Sequence, residues 1–273
     1  MISRTKIDWC DHVWNPVWGC RHNCPYCYAR KLARRFGIEK ARQEKKHIES
    51  PGWTLELLSS LAGHLQAFQP TFLLSNFNKA FPRKPSRIFV DSMSDIAFWK
   101  PDWMHMVLRK IRRHPEHIFL FLTKDPKAYE NLSFPNNCWL GVTITTQAEM
   151  DALGAYLFGC SWEKDANLFL SIEPILEPIT LTVEPDWLIL GAETGNRKGK
   201  VIPELEWIQD LIFQDMVFPI PTNVGIPVFM KSSLQELWQM PLIQQFPEGM
   251  KTQIGVDRAA PGADRTIYQE IKI

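Results

Sequence analysis

Three cysteines within eight residues dominate this sequence. Cys20, Cys24 and Cys27 stand at the spacing C-x3-C-x2-C in the run Cys20-Arg21-His22-Asn23-Cys24-Pro25-Tyr26-Cys27. Thiolates are soft ligands that select iron–sulfur clusters or zinc over harder metals. All-cysteine ligation of a four-iron cluster needs four thiolates, so three leave one iron open to a further ligand. Zinc is the rival reading. A closed zinc site needs a fourth ligand, for which His22 and Cys10 are the nearby candidates. His22 lies between two of the cysteines, where its side chain is expected to point away from the metal.

The remaining chemistry sits after apolar runs. Asp91-Ser92-Met93-Ser94-Asp95, Thr123-Lys124, Thr143 with Thr145, Ser171 with Glu173, Glu193-Thr194 and Lys231 each follow a stretch rich in Val, Ile, Leu and Phe. A charge at the end of a buried strand is expensive to hide unless it is paired. Several converging on one face would make a pocket; a surface strand end would explain one of them alone. Ser94 and Asp95 are also good helix N-caps.

The runs that carry these groups are 87–90, 117–122, 139–144, 167–172, 187–190 and 227–230. They do not alternate with polar residues, as expected of strands buried on both faces of a parallel sheet. A first strand near Val13–Val17 leads into the cysteine loop. Helical stripes lie between: Leu58, Leu61, Leu65 and Phe68; then Trp103, Met106, Val107 and Ile111, with Pro101 near the start and Pro115 past the end; then Leu205, Ile208, Leu211 and Ile212. Strands alternating with helices predict right-handed βαβ units, six or seven of them. In barrels of such units the C-terminal strand ends line the site. The rhythm stops after about Ser232.

The cysteine spacing, with Tyr26 just before the last cysteine, resembles the signature of the radical S-adenosylmethionine (radical SAM) superfamily. Thr5-Lys6-Ile7-Asp8-Trp9, Trp14-Asn15-Pro16-Val17, Cys27-Tyr28-Ala29, Ser92-Met93-Ser94-Asp95, Phe121-Leu122-Thr123-Lys124, Leu170-Ser171-Ile172-Glu173-Pro174 and Gly191-Ala192-Glu193-Thr194-Gly195 resemble a phage-associated family of unknown substrate, distantly similar to spore photoproduct lyase. The resemblance runs from about Thr5 to Ser233. It implies an α/β fold, a partial (β/α)6 TIM-like barrel over 1–232 with a C-terminal extension, 233–273, that packs on or caps it. It also implies an enzyme in which Cys20, Cys24 and Cys27 bind a [4Fe–4S] cluster, and S-adenosyl-L-methionine is cleaved to a 5′-deoxyadenosyl radical. Tyr26 would then sit against the cluster. Ser92, Ser94 and Asp95 occupy the place of the superfamily's Gly-Gly-Glu stretch, with Asp95 a partner for the SAM ammonium. Thr143 and Thr145 suit the ribose hydroxyls. Lys124 suits the SAM carboxylate or an anionic substrate, and Glu173 and Glu193 would orient the ribose, a substrate or the lysines. Cys10 varies among relatives of this kind and is not expected to be a ligand.

The resemblance implies an electron donor such as a flavodoxin or ferredoxin. The substrate is open. DNA or RNA is suggested by two basic clusters, 30–47 and Arg109, Lys110, Arg112 and Arg113, because cation clusters attract phosphate backbones. Solvated helix faces would explain them equally, and a net charge of +1 does not announce a nucleic-acid partner. The alternative class is a zinc- or cluster-stabilised nucleic-acid-binding protein without radical chemistry. No run approaches 18 uninterrupted apolar residues, so no membrane span is expected. The start lacks an apolar signal core, and Cys10, Cys138 and Cys160 are too scattered for a disulfide framework, which predicts the reducing cytoplasm.

Overall fold

The computed structural model describes residues 1–47, 54–159, 167–213 and 225–250. Two compact units divide the chain: Met1–Thr143 with Trp162–Asn167, and Ile144–Ser161 with Leu168–Ile273. Both are α/β, and most strand pairs are parallel.

In chain order the elements are β1 (Ser3–Arg4), β2 (His12–Trp14), β3 (Val17–Trp18), α1 (Tyr28–His47), α2 (Leu55–Gln66), β4 (Thr71–Phe72), α3 (Leu74–Phe77), β5 (Arg87–Val90), α4 (Pro101–Ile111), β6 (Ile118–Thr123), β7 (Cys138–Ile144), α5 (Gln147–Gly159), β8 (Asn167–Ile172), β9 (Trp187–Leu190), α6 (Leu205–Phe213), β10 (Val228–Met230) and α7 (Gln235–Trp238).

In the first unit β2, β5, β6 and β7 run parallel, and β1 joins the β2 edge antiparallel. Trp14 pairs with Val90, and Val90 with Phe121, so these strands end nearly level. Their C-terminal ends carry Asn15, Asp91 and Thr123. Along β5 and β6 almost every side chain is buried, as the unbroken apolar runs predict. The first strand is interrupted: Asn15-Pro16 separates β2 from β3, which turns away to pair with β4. Proline cannot donate to a ladder, which explains the break. In the second unit β8, β9 and β10 are parallel, with Ile172, Leu190 and Met230 in register. Glu173, Gly191 and Lys231 follow them.

Helix α1 follows Cys27 directly. Its buried residues, Ala29, Ala33, Gly37, Lys40, Ala41 and Glu44, form one stripe at helical spacing, packed on α2. Lys45, Lys46 and His47 close its last turn, where cations suit the helix dipole. Helix α4 starts at Pro101 and stops before His114-Pro115, as the prolines predict. The division into 1–232 and 233–273 remains a proposal, and residues 251–273 of that extension lie outside the described residues. No described helix is long and apolar enough to cross a membrane.

Candidate active site

The cysteine loop lies between β3 and the first turn of α1. Gly19 opens it with φ +110°, and its N–H donates to the Met93 carbonyl at 3.0 Å. A Cβ there would lie 2.2 Å from the Gln69 carbonyl carbon, so only glycine fits. Cys20, Cys24 and Cys27 are free thiols, each half-buried. Cys20 and Cys27 lie against an apolar cluster of Ala29, Ala33, Phe68 and Met93. The backbone N–H of Arg30 donates to Cys27 Sγ at 3.4 Å, and the Arg30 guanidinium donates to the Cys20 carbonyl at 3.2 Å. Burial pushes the Cys20 thiol up to about 12; a backbone hydrogen bond from His22 pulls the other way, while Asp95, Cys24 and Cys27 are close enough to push it further up.

Among the described residues the three sulfurs do not gather into a group with ligand atoms within 4.8 Å of one another. One tetrahedral zinc with Zn–S of about 2.3 Å would hold them about 3.8 Å apart.

Asp95 ties this loop to the strand ends. Its Oδ2 accepts from His22 Nε2 at 2.9 Å and from the Lys124 N–H at 2.9 Å. Its Oδ1 accepts from the Thr123 hydroxyl at 2.6 Å and the Ala97 N–H at 2.9 Å. A carboxylate cannot donate, so Nε2 carries the proton and His22 does not offer that nitrogen to a metal. Burial opposes ionisation of Asp95, but the bonds from His22, Thr123, Ala97 and Lys124 hold its carboxyl below the usual range. All four lone-pair positions are engaged. Asp95 thus holds protein groups, one of them as the N-cap of the 3-10 turn at Ile96–Phe98.

The other expected residues divide. In the first unit Tyr26 has the Lys124 ammonium over its ring, 5.8 Å from the centroid. The Ser92 hydroxyl donates to Asn15 Oδ1 at 3.2 Å, and its carbonyl accepts from the Tyr28 hydroxyl at 2.8 Å. Ser94 Oγ accepts from the Trp99 indole at 2.7 Å. Thr143 is half-buried at the end of β7. In the second unit Thr145 is buried and its hydroxyl donates to Glu149 Oε2 at 2.8 Å, closing the start of α5. Glu193 is buried, and its two carboxylate oxygens accept from Arg197 Nε and Nη2, at 2.7 and 2.8 Å. Thr145 and Glu193 thus bind neighbouring protein groups, which the sequence pattern does not reveal. Glu173 pairs with Lys231 across the ends of β8 and β10. Gly191 passes beneath them, where a Cβ would meet both side chains at 3.1 Å.

Asp91 was legible only as part of a polar run. It is fully buried at φ +77°, and Trp99 donates to its Oδ2 at 3.0 Å while Oδ1 has no partner. Burial, aided by Asp95, pushes its carboxyl well above the usual range, against hydrogen bonds from Trp99 and the Val17 backbone. Sequence reasoning missed Tyr28, whose partner is remote in the chain, and read Thr123 only as part of the strand-end pair Thr123-Lys124.

The basic clusters are partly structural. The Lys40 ammonium is buried against Asn76 Oδ1 at 2.7 Å. Lys110 donates to the Phe77 and Lys79 carbonyls, its ammonium over the rings of Trp14, Phe77 and Phe81. Burial lowers both lysines to about 8. A cavity of about 530 Å³ in the first unit is lined by Arg21, His64, Lys100, Phe72 and Trp103, among others. Arg21 places it beside Cys20 in the chain.

Residues 4–221 match the family described as "Protein of unknown function (DUF5131)". The chain belongs to this family. Curated proteins give the DUF5131 chain no match. Among solved structures, a variant of spore photoproduct lyase is similar to it at a TM-score of 0.39 and 11% identity, covering 83% of this chain and 69% of that one. That likeness is too slight to carry an argument about the chemistry of the DUF5131 chain.

Proposed function

We propose that this protein is a radical SAM enzyme in which Cys20, Cys24 and Cys27 hold a [4Fe–4S] cluster. One observation carries the reading: three free, half-buried thiols share one short loop, near enough to act on one another electrostatically. The donor set fits the group. It offers three soft ligands, an apolar backing and N–H groups directed at the sulfurs of Cys20 and Cys27, as outer partners of a cluster should. Bound there, the cluster would supply the electron that cleaves SAM to methionine and a 5′-deoxyadenosyl radical.

The protein's own part is to hold and shield. Gly19 and Asp95 fix the loop. His22 keeps Nε2–H on Asp95, away from metal ligation. Ser92, Ser94 and Thr143, in the first unit, are assigned to SAM contact; Glu173, in the second, is assigned separately to substrate. Tyr26 and Lys124 stand by the loop, the lysine suited to a carboxylate. Arg21 and Lys100 give cations, and His64, Phe72 and Trp103 give aromatic faces, suited to a nucleotide, which supports DNA or RNA as the substrate class. A flavodoxin or ferredoxin is the proposed electron donor.

Anaerobic reconstitution with iron and sulfide tests the reading. About four irons per chain, charge-transfer absorbance near the visible edge and a paramagnetic signal on reduction that shifts when SAM is added are expected. Stoichiometric zinc with no iron uptake would favour the non-radical binding protein.

A further inference from the structure

A second group of ligand-type side chains lies at the other end of β6. The turn after α4 reads His114-Pro115-Glu116-His117, and β6 begins at the next residue. Six strand residues at about 3.3 Å each put this turn roughly 20 Å from Thr123, the strand end that Asp95 ties to the cysteine loop. Among the described residues, His114, Glu116 and His117 are the side chains that bring one ligand atom each within 4.8 Å of the others.

Their spacing suits one small ion. Glu116 Oε1 lies 3.0 Å from His114 Nδ1 and 3.5 Å from His117 Nε2. Zinc bonds of about 2.0–2.2 Å to nitrogen and oxygen make tetrahedral edges of about 3.3–3.6 Å. The ligand set is borderline in softness, two imidazoles and a carboxylate, which favours divalent transition ions over calcium or magnesium.

An independent observation points the same way. His117 has no exposed surface, yet neither ring nitrogen makes a hydrogen bond. The Glu116 contact is too long and poorly directed for one, and the nearby Pro82 carbonyl only favours the charged form without reaching hydrogen-bond geometry. Burying an imidazole without a partner is destabilising, and a metal bond would offset that cost.

The turn is also held rigid before any ion arrives. Asn137 Nδ2 donates to the carbonyls of His114, at 3.1 Å, and His117, at 2.8 Å. Phe81 meets both imidazole rings edge-on. His114 and Glu116 are partly exposed, which gives an entry path and leaves a position for solvent.

We propose that His114, Glu116 and His117 form a binding site for one divalent transition-metal ion, zinc in the cell, that fastens α4 to the start of β6. The site stands apart from the cysteine loop and does not depend on the function proposed above.

The test uses the full-length chain without a polyhistidine tag, stripped of metal and titrated with Co2+. In a variant with Cys20, Cys24 and Cys27 changed to Ser, one equivalent of cobalt should give visible ligand-field bands without a sulfur-to-cobalt charge-transfer band. Zn2+ should displace it. The wild-type chain, titrated in parallel, should show the same sulfur-free bands, so the readout does not hinge on the triple variant folding. His114→Ala and Glu116→Gln change partly exposed side chains and should keep the metal-free circular dichroism. Each should weaken cobalt binding by more than about 100-fold, the upper range for losing even an outer partner. No stoichiometric sulfur-free cobalt signal in either chain, or equal affinity in folded variants and parent, would overturn the proposal.

Discussion

His22 Nε2 lies 2.9 Å from Asp95 Oδ2, and that bond joins the cysteine loop to a buried carboxylate that also holds Thr123 and Lys124. The loop's geometry is therefore set by residues more than 70 positions away. Losing Asp95 would release donors on three segments at once.

Asp95→Ala should destabilise the protein by about 2–4 kcal/mol in urea unfolding, because it leaves several buried donors unpartnered. It should also reduce iron retained after reconstitution, although Asp95 touches no metal. Wild-type stability with normal iron content would show that the tie is unimportant.

The two buried acids titrate in opposite directions. Asp95 has a lowered folded pKa, so its contribution is present above the unfolded value, about 3.9, and is lost as pH falls through the folded one. Asp91 has a raised folded pKa. Its unfolded form loses a proton first, so stability falls as pH rises from about 3.9 toward the folded value, by up to about 1.4 kcal/mol per pH unit. Asp91→Asn keeps a residue tolerant of positive φ and removes that slope. Relative to wild type, the variant should gain stability between pH 4 and pH 7. Parallel pH profiles would contradict the upward shift of the Asp91 carboxyl.

Gly19→Ala places a methyl group on the Gln69 backbone at a φ that side chains rarely adopt. The expected loss is more than about 2 kcal/mol, with poor cluster incorporation, measured by thermal unfolding and iron analysis.

Glu173→Gln weakens its pairing with Lys231 while leaving the cysteine loop unchanged. Iron content should match wild type and SAM turnover should fall by about tenfold or more, roughly 1.4 kcal/mol. Equal turnover would contradict the proposed role of Glu173.

The cysteine motif was legible because its spacing is local in the chain. Strands β5 to β10 were legible because residues buried on both faces read as unbroken apolar runs. Helix α1 was not, because its buried stripe is built from alanines, a glycine and two charged residues amid many exposed cations. Lys40 and Lys110 looked like solvated charge or phosphate contacts, and only tertiary packing reveals their carbonyl, amide and aromatic partners. The engagement of Asp95, Thr145 and Glu193 was equally hidden, since strand-end polarity predicts a pocket without saying which groups are already bound to protein. A closed barrel is not established by the pairings within each unit and stays part of the proposal.

Product analysis tests the central claim most directly. Reconstituted, dithionite-reduced protein should convert SAM to methionine and 5′-deoxyadenosine, detected by liquid chromatography with mass detection. Cys20→Ala, Cys24→Ala and Cys27→Ala should each abolish both the four-iron cluster and the product, whereas Cys138→Ala, at a buried site on β7, should retain both. An intact, reducible cluster that neither binds SAM nor yields 5′-deoxyadenosine, with nucleic-acid substrates present or absent, would contradict the radical SAM reading.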